Sequence, residues 1–490
     1  MKKQNIVMIH AESYDGRLIG KVGQYPAIKN ATPNIDALAD RGAFFPETYC
    51  THPICCPSRA NMWSGTYTQK CESWNNYKGL EEGMWTFPDN VTETHDVAYY
   101  GKRDYTTGGH SVMNRIADFL EPLNTRHLSV MNEDPAQRFE IEDNNDYRCH
   151  KRDWKMVDDI KDFLETRSVD DEKPFFVALN SGLVHAAFVT NKYWLEKIPE
   201  DLVDIPAIDE SSHPALKYQQ ASKAWRHGFN EDTVRTVRRI YFAMCAEMDA
   251  IVGEIVSKID ELGLNENTTI IFSSDHGELA MEHQQYYKMS MLEGSVRVPL
   301  IMAGPGIIPG KRYDNIASMI DMAPTLCDLA GMPKRECFDG ESLLPLVRGE
   351  TTQSRDWAYA MYSGVTTNTN SYMVRKGDYK FIAHSGMPSQ LFNVRKDPAE
   401  LINLLDSEPE VAAEMEQLLN QIVDREATDA LIEDYRKHQL KQFRRQAKNG
   451  LYYDKSYGLK NNPSSDYDKL MDNTFTGWTA EDEARVDEWL

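Results

Sequence analysis

No stretch of this 490-residue chain approaches the roughly 18 consecutive apolar residues of a bilayer-spanning helix, so no membrane partner is expected. The opening "MKKQNIVMIHAESYDG" also lacks the apolar run of about 7–15 residues that a secretory leader needs. The chain as given therefore reads as cytoplasmic, or as periplasmic or secreted if a leader has been removed. Cysteine is sparse. The eight residues, Cys50, Cys55, Cys56, Cys71, Cys149, Cys245, Cys327 and Cys337, are too few for a disulfide scaffold. None forms a CxxC pair, which argues against a structural zinc site. Basic residues are outnumbered, 54 Lys and Arg against 76 Asp and Glu, a net charge of −22 that argues against nucleic acid as a partner. Internal repeats and long low-complexity runs are absent.

Apolar runs that end in polar residues are what the sequence does contain. "NIVMIHA" (Asn5–Ala11) reads as a buried parallel strand. "TPNIDALADRG" follows as a helix, with Thr32 able to cap, Pro33 in the first turn and a stop near Gly42. "AFFPETYC" reads as the next strand. The pattern recurs in "KPFFVALNSG" (Lys173–Gly182), a long helix over Glu231–Leu264, and strands in Asn267–Glu278 and Val298–Ile307. A helix over Ser318–Gly331 closes the series. Such alternation predicts an α/β fold with a large mixed, mostly parallel sheet between helices. Beyond about Gly349, "SYMVRKGDYKFIAHSG" and "SQLFNVRKDP" read as hairpin strands and "PEVAAEMEQLLNQIVDRE" as a helix. We therefore expect a catalytic domain over 1–350 and a smaller α+β subdomain over 351–490, with "NNPSSDYDKLMDN" wrapping the surface.

Ligands gather outside the carboxyl ends of strands in open α/β sheets. Here those ends carry Glu12, with Asp15 close behind, and Asp275-His276. Carboxylates from two strand ends suit a divalent cation; each alone could equally cap a helix. Between them lies "ICCPSRANMWSG" (Ile54–Gly65), with a thiol pair ahead of Pro57, Ser58 and Arg59.

Cys55-x-Pro57-Ser58-Arg59 with Ser64-Gly65 resembles the signature of the type I, formylglycine-dependent sulfatases of the alkaline phosphatase superfamily. The resemblance implies that a maturation enzyme oxidises Cys55 to formylglycine, whose hydrate attacks sulfur and then expels sulfate by re-forming the aldehyde. It further implies metal ligation by Glu12, Cys55, Asp275 and His276, and an Arg59 that holds the diol. By the same resemblance Lys102 ("GKRDYTTGGH") and Lys288 ("YKMSMLEGSVRVP") contact sulfate. His185 ("NSGLVHAAF") serves as proton donor or sulfate contact. The implied cation is Ca2+, with Mg2+ or Mn2+ as alternatives. Glu12-Ser13 replaces the pair of aspartates common in the family. His276 stands where many members have Asn, which keeps manganese or zinc open. Asp104 occupies the place of a family histidine, whose role His110 would take over.

Longer stretches, among them "ESWNNYKGL" and "SSDHGELAMEHQQYYKMSM", are similar to one branch of the family that removes 2-O-sulfate from uronates at glycosaminoglycan ends. A sulfated oligosaccharide, met at its end rather than along a long polyanion, is thus the implied substrate. Trp74, with Asn75 and Asn76, would line the sugar pocket, core packing being the equal alternative for Trp74. Three other readings stand beside this one. They are a broader aryl or glycan sulfatase, a phosphate or phosphonate monoester hydrolase, and a non-catalytic sulfated-glycan binder that keeps Cys55 as a thiol.

Overall fold

A computed structural model describes residues 4–108, 139–223, 230–448 and 479–490. His110 and the polar stretch 461–473 lie outside the described residues. The large sheet has seven strands: β1 (Asn5–Ala11), β2 (Ala43–Phe44), β3 (Asp96–Gly101), β4 (Phe175–Asn180), β5 (Thr268–Ser274), β6 (Leu300–Ala303) and β7 (Lys311–Arg312). Their spatial order is β7-β2-β6-β5-β1-β4-β3. β3, β4, β1 and β5 are mutually parallel, and only β6 opposes its neighbours, β5 and β2. Every residue of β1, β4 and β5 is buried, which explains their unbroken apolar runs.

Helices cover both faces. They are α1 (Pro33–Asp40), α2 (Cys55–Ser64), α3 (Lys151–Glu165), α4 (Glu231–Glu261) and α5 (Met322–Ala330). Adjacent residues of β4 meet opposite layers: Phe175 packs edge-on against Phe163 of α3, and Phe176 against Trp63 of α2. α4 stops where Gly263 takes a left-handed φ of 68°, as the sequence pattern expects.

Register is what builds a site at one edge of this sheet. His10 of β1 pairs with Asn180 of β4 and Ser273 of β5, and Gly101 of β3 also pairs with Asn180. The carboxyl ends of four parallel strands are therefore level. The residues that follow them, Glu12, Lys102, Ser181 and Asp275, emerge together.

Three local expectations change. "AFFPETYC" is two short strands, because Pro46 has no N–H to offer a ladder. Ala43–Phe44 stays in the large sheet, while Thr48–Tyr49 joins a three-stranded sheet with Arg297–Val298 and Ala317–Ser318. The strand expected over Val298–Ile307 is confined to Leu300–Ala303 in the large sheet. Thr32 does not cap α1: its hydroxyl accepts from the Gly20 amide at 2.8 Å. Asp249 of α4 caps instead, accepting from the amides of Asn34 and Ile35 at 3.2 and 2.7 Å.

The C-terminal part is a four-stranded antiparallel sheet in chain order, Trp357–Tyr362, Ser371–Lys376, Tyr379–His384 and Met387–Asn393. α6 (Pro409–Ile422) packs on its middle strands, and α7 (Arg425–Lys448) follows. A second apolar cluster, with Tyr67, Trp74, Tyr359 and Tyr372, joins this sheet to the α/β part. Buried ion pairs reinforce the junction: Lys380 pairs with Glu293 at 3.1 Å, and Arg375 with Glu47 at 3.3 Å.

Candidate active site

α2 delivers Cys55 as its first residue, and the side chain is 2 % exposed. Its sulfur lies 3.3 Å from Glu12 Oε1 and 3.3 Å from His276 Nε2. Ile54 offers the helix no side-chain cap. Asn76, from the following loop, does this instead by accepting from the Cys56 amide at 3.0 Å. Ser58 donates to the Asp275 carbonyl at 2.5 Å and ties the first turn to the end of β5.

Arg59 is fully buried and held from three sides. Nε donates to Asp275 Oδ2 at 2.9 Å, and Nη1 to Asn180 Oδ1 at 2.9 Å and the Lys102 carbonyl at 3.3 Å. Among the described residues its Nη2 has no hydrogen-bond partner. Asp275 also accepts from the Ser13 and His276 amides at 3.2 and 3.0 Å. Burial opposes ionisation of Asp275, but His276 and Arg59 overcome it and hold the carboxyl far below its ordinary range. Ser13 makes its contact from a left-handed φ of 63°, unusual for a residue with a Cβ.

Lys102 pairs with Glu12 Oε1 and, at 3.0 Å, with Asp104. Asp104 is thus an ion-pair partner of Lys102. Burial works against the Glu12 carboxylate, yet Lys102 and His185 keep it ionised well below its ordinary value. Burial likewise opposes a Cys55 thiolate, but Lys102 and Lys288 outweigh it and lower the thiol's pKa strongly. The pocket thus favours an anion at position 55.

Lys288 Nζ donates to His185 Nε2 at 2.5 Å, while His185 Nδ1 bonds to the Ala186 carbonyl. The loop carrying His185 is fastened to the end of β1 by Glu12 N to Leu183 O, 2.7 Å, and Val184 N to Glu12 O, 2.6 Å. Two sets of possible ligand atoms, Glu12–Cys55–His185 and Cys55–Asp275–His276, each lie within 4.8 Å of one another. His276 Nδ1 bonds the Gly277 carbonyl at 3.0 Å, which turns the Nε2 lone pair into the site. Carboxylates, one imidazole and the group at position 55 form a donor set that fits a divalent cation.

Cys55, Arg59, Glu12, Asp275, His276, Lys102, His185 and Lys288 are therefore brought together. Trp74 is not with them. It is 2 % exposed and packed in the cluster beneath the C-terminal sheet, so its side chain serves the core rather than a sugar pocket. Asp15 turns away to pair with Arg17 at 2.7 Å.

A model of the family described as Sulfatase matches residues 4–332. The chain belongs to the sulfatase family. It is a sulfuric ester hydrolase. A second model, of the N-sulphoglucosamine sulphohydrolase C-terminal region, matches residues 281–427. This sulfatase is 36% identical over 468 residues to human (Homo sapiens) arylsulfatase K, covering 89% of this chain and 85% of that one. It is 34% identical over 463 residues to arylsulfatase K of Danio rerio, covering 89% and 87%. Its fold is similar to that of the phosphonate monoester hydrolase of Agrobacterium radiobacter, with TM-score 0.68, 20% identity and coverage of 88% and 96%. It is also similar to that of a protein described as a 2-O GAG sulfatase, with TM-score 0.67, 22% identity and coverage of 87% and 93%.

Sequence reasoning about this sulfatase missed four supporting residues. Asn76 and Asn180 hold α2 and Arg59 through side-chain amides that no short motif marks. Lys223, fully buried, donates to the Lys288 carbonyl at 2.5 Å and to Gln285 Oε1 at 2.8 Å. Tyr287 sets its ring at a tilt of 34° to that of His185, with centroids 6.0 Å apart. Asn76, Asn180 and Tyr287 lie in stretches singled out by sequence, though for other residues or another role, and Lys223 lies in none.

Proposed function

We propose that this sulfatase removes 2-O-sulfate from a hexuronic acid at the non-reducing end of a glycosaminoglycan-type oligosaccharide, with Cys55 matured to formylglycine by a separate enzyme. The observation that carries the chemistry is the position of Cys55, buried between Glu12 and His276 and under the field of two lysines. Similarity to arylsulfatase K, and to a fold neighbour described as a 2-O GAG sulfatase, supports the substrate class.

Hydrated formylglycine at position 55 would supply the attacking hydroxyl, and a divalent cation held by Glu12, Asp275 and His276 would supply Lewis acidity. The remaining work falls to the chain's own side chains. Arg59, already fixed through Nε and Nη1, has Nη2 to hold an oxygen at position 55. Lys102 and Lys288 offset the charge that grows on sulfate oxygens as the S–O bond breaks. His185 keeps a proton on Nδ1 through Ala186, so Nε2 accepts from the Lys288 ammonium, and a proton taken from that ammonium is the one Nε2 passes to the leaving oxygen. Calcium is the cation we favour, with magnesium and manganese as competitors.

The test is a desulfation screen with defined 2-, 3-, 4- and 6-O-sulfated saccharides. Selective loss of 2-O-sulfate from a terminal uronate is expected, whereas turnover of aryl sulfates alone would sink the assignment. Undiminished turnover in Cys55→Ala would sink the mechanism. The fold shared with a phosphonate monoester hydrolase favours a second reading, so sulfate and phosphonate esters of one alcohol should be compared.

A further inference from the structure

A second cluster of metal-binding side chains lies away from the candidate active site. Cys149, His150 and Glu247 place one ligand atom each within 4.8 Å of the others. Glu142 lies next to Cys149, its Oε2 3.9 Å from Sγ, but stands outside the group of three. The four residues come from three places: the strand Phe139–Glu142, the turn ahead of α3, and the middle of α4. Their scatter along the chain is why the absence of CxxC gave no warning of a site.

The electrostatics of the cluster are unbalanced. Glu247 is completely buried on the core face of α4. Its oxygens accept from Trp154 Nε1 at 2.8 Å, from the His150 amide at 2.9 Å and from His150 Nδ1 at 2.7 Å. Among the described residues neither Glu247 nor Glu142 pairs with a lysine or arginine. Among the described residues Glu142 receives the Asn144 side-chain amide, at 3.0 Å, and the Cys149 thiol. A buried carboxylate ordinarily needs a cation, and two carboxylates share this place with one imidazole.

We propose that Cys149, His150 and Glu247 bind a zinc ion, with Glu142 turning in as the fourth ligand, and that the ion pins the strand Phe139–Glu142 and the start of α3 to α4. One thiolate, one imidazole and two carboxylates make a four-coordinate set of the borderline-soft kind that zinc accepts. Zinc bond lengths of about 2.0–2.3 Å put neighbouring tetrahedral ligands about 3.3–3.6 Å apart. The His150–Glu247 pair at 2.7 Å must open slightly, and Glu142, 3.9 Å from Cys149, must turn in toward His150 and Glu247 as well. Binding displaces the thiol proton and the hydrogen bond between His150 and Glu247, and both carboxylates become ligands. Neither the site nor its test depends on the substrate assigned above.

The experiment uses the full chain carrying Cys55→Ser, which removes the thiolate of the candidate active site. Zinc-loaded protein is examined by X-ray absorption at the zinc edge. Cobalt(II) uptake is followed through its thiolate charge-transfer band. One sulfur in the zinc shell, and a cobalt band that disappears in Cys55→Ser/Cys149→Ser, are expected. A zinc shell without sulfur, or a band that survives the Cys149 substitution, overturns the proposal. Circular dichroism confirms that the double variant is folded. If it is not, the sulfur count on the parent decides alone.

Discussion

Replacing Asn76 by alanine should loosen the start of α2 and displace Cys55. Asn76 is buried, and its Oδ1 accepts from the Cys56 amide at 3.0 Å. Because Ile54 has no side chain that can cap, nothing else on α2 takes over. A buried amide left without its acceptor costs about 1–3 kcal/mol, against about 5–15 kcal/mol for the net stability of a typical domain. The loss concentrates on the first turn, whose Cys55 sulfur must sit 3.3 Å from both Glu12 and His276. A misplacement of about 1 Å at a reacting atom can lower turnover about 100-fold. Hydrogen exchange of the Cys56 amide reads the local effect, and kcat on a sulfate ester reads the functional one. Asn76→Asp keeps an acceptor and should recover most of both. Unchanged Cys56 protection together with unchanged kcat in Asn76→Ala would refute the reasoning.

Lys223→Met removes the buried ammonium that braces the Lys288 carbonyl and Gln285. With charge-assisted bonds worth about 1.5–3 kcal/mol, kcat/KM should fall about 10- to 100-fold, and a wild-type value would show that Lys288 needs no brace. His52 is buried with both ring nitrogens unpartnered among the described residues, and burial pushes its pKa down to about 3. The unfolded chain therefore takes up the proton first as pH falls: the stability is complete above about 6.5 and drains away between about 6.5 and 3. His52→Phe should flatten that acid slope in denaturation midpoints, and an unaltered slope counts against it. Dialysis against a chelator should abolish sulfate ester turnover, with recovery on adding back one divalent cation. Full activity in metal-free protein would exclude the ligand roles given to Glu12, Asp275 and His276.

The parts of this molecule that could be read from sequence share one property: each is carried by neighbours in the chain. The apolar run of β1 and the acid after it announce both a buried strand and a residue at its mouth. The same holds for β5 with Asp275-His276, and for Cys55 to Arg59 within one helix turn. What stayed hidden depends on partners far apart. The capping of α1 by Asp249 crosses more than 200 residues, so Thr32 was the natural but wrong choice. The reversed direction of β6 leaves no mark on its apolar pattern, since a strand buried on both faces reads alike either way. Trp74 sits beside the polar Asn75 and Asn76, yet its surroundings come from the distant C-terminal sheet. The amides of Asn76 and Asn180 act through single contacts to α2 and Arg59, and an isolated asparagine carries no periodicity to reveal that.

All ten residues of α2 are buried, and Cys55 with them. Once the helix is seated, an enzyme large enough to hold the Cys55–Arg59 segment as an extended peptide has no route to the thiol. On the maturation proposed above, oxidation of Cys55 and folding of the chain would be rival clocks. A molecule that folded first would be sealed in the thiol form, and later exposure to the maturing enzyme would not rescue it. The specific activity of a preparation would then record how fast it was synthesised relative to its supply of that enzyme. Two samples with identical stability and identical spectra would differ in turnover for that reason alone.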